Sequence, residues 1–231
     1  MNTKFDFNFT HIIPFMQFNT SYIGLRNDLV SEINSVNNKV LDVGCATGVN
    51  GKYLLDKGLA RSVYGIELMP EMAEEAKKFY DDVIVGSLDD IDLLNGLGNN
   101  YFDHIICGDI LEHLDDPWLV LKKLAGYLNE NGKIIISLPN VQHIDVFYHI
   151  YFKNTWPVNE RGIFDKTHRR FFTLKDIKKM VDAPGLKIVK IKRNFRFRDR
   201  IGSRFPVYGI LLRTFFKRLY TFQYIVVCSH K

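Results

Sequence analysis

Residues Lys39 to Gly48 read K-V-L-D-V-G-C-A-T-G, and this stretch decides the fold. Val40, Leu41 and Val43 form a short apolar run, of the length and type of a strand buried on both faces. The run ends in a turn holding Gly44 and Gly48, which feeds a helical stretch, Asn50 to Lys57, stopped at Gly58. Strand, glycine turn and helix open a βαβ unit in which glycines let a ligand approach the first amides of the helix. A second apolar strand, Ser62 to Ile66, ends in Glu67, the position from which an acid holds ribose hydroxyls.

The ligand is narrowed by what the turn lacks. A dinucleotide loop reads G-x-G-x-x-G, whereas Ala46 and Val49 stand at the second and third glycine positions here. The turn carries no Lys or Arg, and Asp42, Glu67 and Asp109 all fall at expected strand ends on one edge of the sheet. Three carboxylates there would repel a pyrophosphate and favour a ligand with a ribose, an ammonium and a sulfonium. S-adenosylmethionine has that description.

V-L-D-V-G-C-A-T-G, then Y-G-I-E-L, then F-D-H-I-I-C-G-D-I-L-E-H-L-D-D-P resemble the class I S-adenosylmethionine-dependent methyltransferases, firmly from Val40 to Pro139 and more loosely beyond. Ala46 replaces a frequent third glycine, at the cost of one methyl group near the backbone. The resemblance implies a doubly wound α/β fold, a seven-stranded and mostly parallel Rossmann-like sheet whose last strand runs antiparallel. It implies that Asp42, Gly44 and Gly48 shape the methionine end of the cofactor, that Glu67 binds the ribose, and that Ser87 with Leu88 frames the adenine. Asp109 and Ile110 would line the site near the sulfonium, Cys45, Ala46 and Leu68 complete the cofactor set, and Tyr22 and Arg26 resemble residues that close it.

The rest of the chain fits one such domain. At 231 residues, 46% of them apolar, it can bury a substantial core. Residues 1–38 read as an N-terminal helical cover, with one or two helices over Ile12 to Ser35, and residues 39–231 as the methyltransferase domain. Pro70 starts a helix running to about Tyr80; Asp82 to Val85, Phe102 to Cys107 and Lys133 to Leu138 are strands; Leu93 to Asn100 reads as loop. A helix capped by Asp116-Pro117 is expected to end at Asn131-Gly132. Residues 140–172 look like a lid or substrate-facing region; Thr173 with Asp176 forms a capping-box pattern for a helix to Val181. Lys187 to Arg193 and Thr221 to Cys228 are the last strands, flanking an insert over residues 194–219. Cys45, Cys107 and Cys228 show no paired spacing, so buried thiols in a reducing, cytoplasmic setting are expected. Neither a signal peptide nor a membrane span is legible.

Two histidines stand out as bases for an alcohol acceptor: His113 in D-I-L-E-H-L and His168 in G-I-F-D-K-T-H-R-R-F-F-T. For each the competing reading is structural: His113 ordering the turn before Asp116, His168 pairing with Asp165 above packed phenylalanines. Asp109, Glu112 and His113 have the spacing of an O/N metal set, but no fourth ligand is evident and no metal is expected. The stretch around Asp165, His168, Arg170 and Phe171 resembles a subset of the family associated with bacterial surface-polysaccharide assembly, which implies O-methylation of a glycan or envelope intermediate. The region around E-H-L-D-D-P also resembles quinone-type methyltransferases, and a cofactor-binding subunit without catalysis is the reading outside enzymes.

Charge is unevenly spread. Residues 1–184 carry 19 Lys/Arg against 25 Asp/Glu, and residues 185–231 carry 12 against 1. The basic insert suits an acidic or lipid-linked acceptor, or peripheral contact with an anionic membrane through a face of Val207, Ile210, Leu211, Phe215 and Leu219. Alternating Arg and Phe also suit nucleic acid, the less favoured partner because no RNA-binding module is visible.

Overall fold

The computed structural model describes residues 23–99, 101–199 and 207–231. Tyr22, the earlier part of the N-terminal cover, residues 200–206 of the basic insert and the side chains of Val207 and Ile210 lie outside the described residues.

In chain order the elements are α1 (Asn27–Val30), β1 (Asn38–Val43), α2 (Val49–Asp56), β2 (Ala60–Glu67), α3 (Pro70–Ala76), β3 (Asp82–Val85), β4 (Phe102–Gly108) and α4 (Pro117–Ala125). There follow β5 (Leu128–Pro139), α5 (Ile144–Lys153), α6 (Leu174–Asp182), β6 (Leu186–Phe195), α7 (Val207–Phe215), α8 (Lys217–Tyr220) and β7 (Thr221–His230). The seven strands form one sheet in the order β3-β2-β1-β4-β5-β7-β6. β1 through β5 are parallel, and β7 runs antiparallel between β5 and β6. That is the doubly wound, mostly parallel sheet expected.

Apolar runs such as Ile134-Ile135-Ile136 alternate across the sheet. Ile134 and Ile136 pack with α4 and α6 on one face, Ile135 with α1, α2 and α3 on the other. A strand covered on both faces must be apolar throughout, which is why β1, β4 and β5 read as continuous runs.

Three expectations need correction. The helix capped by Asp116 ends at Ala125, with Gly126 as its C-cap, and Leu128 already belongs to β5. Asn131-Gly132 lies in a bulge, since Leu128 pairs with Phe102 and Lys133 with His104; the turn-forming dipeptide interrupts a strand rather than ending a helix. Ile91–Leu97, expected in part as loop, is 3₁₀-helical, started by the Asp90 carboxylate accepting the Asp92 amide at 3.2 Å. The helix from Pro70 stops at Ala76, four residues short of Tyr80. In the described part of the N-terminal cover there is a single helical turn, α1, which buries Leu29 and Val30.

The strand order reverses between β1 and β4, whose neighbours diverge to opposite sides. Ligands of open α/β sheets bind at the carboxyl ends of strands flanking such a point. Among the described residues no helix is long and apolar enough to cross a membrane.

Candidate active site at the carboxyl edge of the sheet

The turn after β1 holds three left-handed residues: Gly44 at φ +71°, Ala46 at φ +47° and Gly48 at φ +79°. A Cβ on Gly48 would lie 2.9 Å from the Ala76 backbone of α3, so the second glycine is demanded by packing as well as by φ. Ala46 takes a conformation costly for a residue with a Cβ, about 1–2 kcal/mol. Glu67 holds it there: one carboxylate oxygen accepts the Ala46 amide at 2.8 Å and the other accepts the Met69 amide at 2.9 Å. Glu67 therefore shapes the turn, and the remaining lone pairs of its oxygens stay available to hydroxyl donors.

Asp42 lies buried beneath the turn rather than in an open cleft. It is 2% exposed and accepts the Tyr80 hydroxyl at 2.8 Å. Burial raises its carboxyl to about 6, against hydrogen bonds from Tyr80 and Asn50 that lower it. Tyr80 in turn accepts the Gly51 amide at 3.0 Å, a free amide in the first turn of α2. Gly48, the N-cap, has no side chain to offer, so the Tyr80 phenol does the capping from α3's side.

Asp109 follows β4 at φ +57° and sits in a polar knot. The Ser137 hydroxyl donates to it at 2.9 Å, the Gln223 amide at 2.5 Å and the Arg26 guanidinium at 2.5 Å. Arg26 also reaches Asp28 at 2.9 Å, and its backbone amide donates to Asn50 at 3.0 Å. Burial alone would lower the Arg26 pKa, but Asp109 and Asp28 more than reverse that and hold it firmly cationic. The site edge is thus less acidic than three free carboxylates: Asp42 is sequestered and Asp109 is paired. Ile110 covers the turn, for a Cβ on Gly44 would fall 2.1 Å from its Cδ1. Cys45 is buried. Leu68 is exposed, whereas Ser87 and Leu88 follow β3 where the Gly86 amide donates to the Glu67 carbonyl at 2.9 Å.

Past Asp109 a 3₁₀ turn, Leu111–His113, aims Glu112 and His113 toward the 163–170 loop. The two histidines read separately in the sequence meet here, their ring centroids 4.8 Å apart, edge to face. The Arg169 and Arg170 amides both donate to the Glu112 carbonyl, at 2.9 and 3.0 Å, which fastens one motif to the other. The Thr167 hydroxyl donates to Asp165 at 2.6 Å, so its lone pairs face His113 Nδ1 at 3.0 Å. His113 Nδ1 must then carry the proton, and Nε2 is the free base. The same logic applies to His168, whose Nδ1 donates to the Ile163 carbonyl at 3.2 Å. Its Nε2 lies 4.0 Å from Glu112. Burial lowers the pKa of both imidazoles; the neighbouring charge of Asp165 opposes this at His113, and His113 adds to it at His168.

Glu112 is fully buried, and among the described residues neither carboxyl oxygen has a hydrogen-bond partner. Burial, with Asp109 nearby, raises its pKa well above the usual range and keeps it neutral. One ligand atom from each of Glu112, His113 and His168 lies within 4.8 Å of the others, an O/N set of the kind divalent cations take. Asp109, the third member weighed from sequence, has its oxygens committed elsewhere. Ser137 and Gln223 went unread in the sequence, although a lone polar residue within each apolar run, I-I-I-S-L and F-Q-Y-I-V-V, was the signal.

Residues 17–191 match a family model described as a methyltransferase domain. A ubiquinone biosynthesis O-methyltransferase from Xanthomonas oryzae pv. oryzae is 31% identical over 128 residues, covering 52% of this chain and 48% of the relative. The chain thus spans about half the length of that curated relative. Among solved structures, a SAM-dependent methyltransferase from Archaeoglobus fulgidus superposes with a TM-score of 0.62 at 16% identity, covering 90% of this chain and 96% of the other. Magnesium protoporphyrin IX methyltransferase from Synechocystis PCC 6803, with bound SAH, gives 0.58 at 18% identity, covering 88% and 78%. At such identities these structures speak for the fold.

Proposed function

The chain belongs to the methyltransferase-domain family, and from that premise we propose that it uses S-adenosyl-L-methionine as its cofactor to methylate a hydroxyl oxygen on an amphiphilic acceptor. The residues at the carboxyl edge suit the cofactor. Glu67 has lone pairs left for ribose hydroxyls, the Arg26 guanidinium suits the carboxylate of the amino-acid end, and Ser87 with Leu88 suits the adenine. Asp109 and Ile110 are the groups nearest the sulfonium in this reading. The cofactor supplies a methyl carbon on a positive sulfur, with a neutral thioether as leaving group.

The chain's own work is to align the acceptor and take its proton. The observation that carries the proposal is the relay Asp165–Thr167–His113. It fixes the His113 tautomer with Nε2 basic, while the lowered pKa keeps that nitrogen unprotonated near neutrality. As the acceptor oxygen gains the methyl carbon, its proton passes to His113 Nε2. His168 packs behind, against His113 and the neutral Glu112, and is a positioning residue.

Two acceptor classes remain, each with its own support. The likeness to ubiquinone O-methyltransferases favours a quinone-type ring. The resemblance of the D-x-T-H stretch to methyltransferases of surface-polysaccharide assembly favours a lipid-linked glycan. Labelled cofactor offered with phenolic quinone precursors and with polyprenyl-linked sugars distinguishes them. Titration with S-adenosylhomocysteine tests the cofactor separately. His113→Ala should slow transfer by about a hundredfold or more while leaving S-adenosylhomocysteine affinity unchanged. Unimpaired turnover in that variant would remove His113 as the base.

A further inference from the structure

Helix α5 carries an apolar outer face that stays exposed among the described residues. Phe147, Ile150, Tyr151 and Phe152 are 45%, 43%, 72% and 71% exposed. Phe147, Ile150 and Tyr151 share one side of the helix at three- and four-residue spacing, and the Phe147 ring lies 4.7 Å from Tyr151 and 5.8 Å from Phe152. Such side chains together present on the order of 400 Å² of apolar surface, a patch size that marks an interaction site.

The face is not isolated from the active site. Tyr148 stacks on Phe152 at 6.1 Å and meets His149 at 5.5 Å; His149 meets Phe164 at 5.2 Å. Trp156 then joins Phe164 to Phe171 at 5.1 and 5.2 Å, and Phe171 lies 6.5 Å from His168. Exposed face and histidine pair are the two ends of one aromatic track.

Cations border the outer end. The Lys153 ammonium stands 5.8 Å and the Arg198 guanidinium 4.7 Å from the Tyr148 ring centroid. The segment bearing Arg196 and Arg198 is sewn to the start of α5, where His143 Nε2 donates to the Arg196 carbonyl at 2.9 Å. Nearby acids are turned inward: Asp145 is buried, pairs with Arg198 and accepts the Asp199 amide, while Asp199 accepts the Ile163 amide at 2.8 Å. Residues 185–231, which include this segment, carry 12 Lys/Arg against 1 Asp/Glu.

We propose that α5 is a membrane-docking helix, seating its aromatic face in the interface of an anionic bilayer with Lys153, Arg196 and Arg198 against the headgroups. An anionic bilayer offers hydrocarbon and negative charge in one surface, which matches rings and an isoleucine fringed by Lys and Arg. The basic insert expected from sequence to meet a membrane is here the charged border of a different element. The proposal deepens the amphiphilic-acceptor reading, since the track would lead an acceptor's head from the bilayer to His113, but docking itself needs neither cofactor nor acceptor.

Flotation of the full chain with phosphatidylcholine vesicles, with and without phosphatidylglycerol, is the test. The chain should float with the anionic vesicles, more weakly as salt rises. Tyr151→Ser with Phe152→Ser should reduce binding by about tenfold or more, corresponding to 1.4 kcal/mol, with an unchanged thermal melt because both side chains are exposed. Lys153→Glu should lower binding to the anionic vesicles only. Absence of vesicle binding by the intact chain, or equal binding by the serine variant, would overturn the proposal. So would a concentration-dependent dimer abolished by the same variant, which would assign the face to a second copy. A failed S-adenosylhomocysteine titration would leave these outcomes readable, and failed flotation would leave methyl transfer untouched.

Discussion

Replacing Tyr80 by Phe removes one oxygen and should expose how the glycine turn is held. The ring, 6% exposed, packs against Gly48, Gly51 and Gly65, and Phe keeps those contacts. The hydroxyl is lost from two partners, Asp42 at 2.8 Å and the Gly51 amide at 3.0 Å. Burial raises the Tyr80 pKa, as do the charges of Asp42 and Cys45, so the phenol is always a donor to Asp42. Leaving the Gly51 amide buried and unpaired costs about 1–2 kcal/mol at any pH. The second loss depends on pH. Asp42 stands at about 6 when folded against an ordinary value of 3.8, so its contribution to stability is full below 3.8 and is lost as pH rises through about 6. The Tyr80 bond lowers the folded value, so the variant pushes it higher and makes ionisation dearer. At about pH 5, where Asp42 is protonated, the variant should be weaker by about 1–2 kcal/mol; at about pH 8 the deficit should reach about 2–4 kcal/mol. Urea unfolding at both pH values measures it, and melting should fall by roughly 2–4 °C per kcal/mol. A deficit equal at the two pH values, or below about 0.5 kcal/mol at both, would refute the account of Asp42 as a buried acid kept in place by Tyr80.

Glu67→Ala removes the acceptor of the Ala46 and Met69 amides as well as the proposed ribose partner, so calorimetry with S-adenosylhomocysteine should show binding weakened at least tenfold, or about 1.4 kcal/mol. The folded His113 pKa lies below 6.5, mainly through burial, so transfer should be constant near neutrality and fall only as pH drops below that value; an acid limb above 6.5 would exclude His113. Chelation by EDTA should leave transfer intact, since the proposed chemistry asks only for a base at His113; complete loss restored by a divalent ion would instead place a metal between Glu112, His113 and His168. Thr173→Ala breaks the capping box of α6, in which the Thr173 hydroxyl donates to Asp176 at 2.6 Å, and should cost about 1 kcal/mol in urea unfolding.

Strands and their order of use were legible because burial on both faces leaves a chain few options. I-I-C and I-I-I must be central, and β3 was bounded at Asp82 and Val85 by its neighbours' punctuation. Helix ends were less legible where a local signal had two meanings. Asn131-Gly132 serves equally as a helix stop or as a strand bulge, and only the pairing of Leu128 with Phe102 selects the bulge. Pro70 announced the start of α3, but its end depends on Tyr80 leaving the helix to reach Asp42 and Gly51.

The candidate site shows the same division more sharply. Each histidine was visible as a residue of the right chemistry at the right edge, and the Gly44–Glu67 unit was visible as a local motif. Their convergence was not, because it is set by backbone that carries no side-chain signal: the Arg169 and Arg170 amides bound to the Glu112 carbonyl. Those two bonds bring Thr167 to His113, and Thr167 can orient His113 only because Asp165 has already taken its proton. The edge is less acidic than its carboxylates suggest for a related reason. Counting carboxylates at strand ends supposes that each reaches the cleft, yet Asp42 is drawn under the turn by a phenol and Asp109 is neutralised by an arginine preceding β1. What distinguishes Glu67 is that backbone amides, not a cation or a phenol, hold its two oxygens, so this buried carboxylate is tied to the turn itself rather than to a side-chain partner.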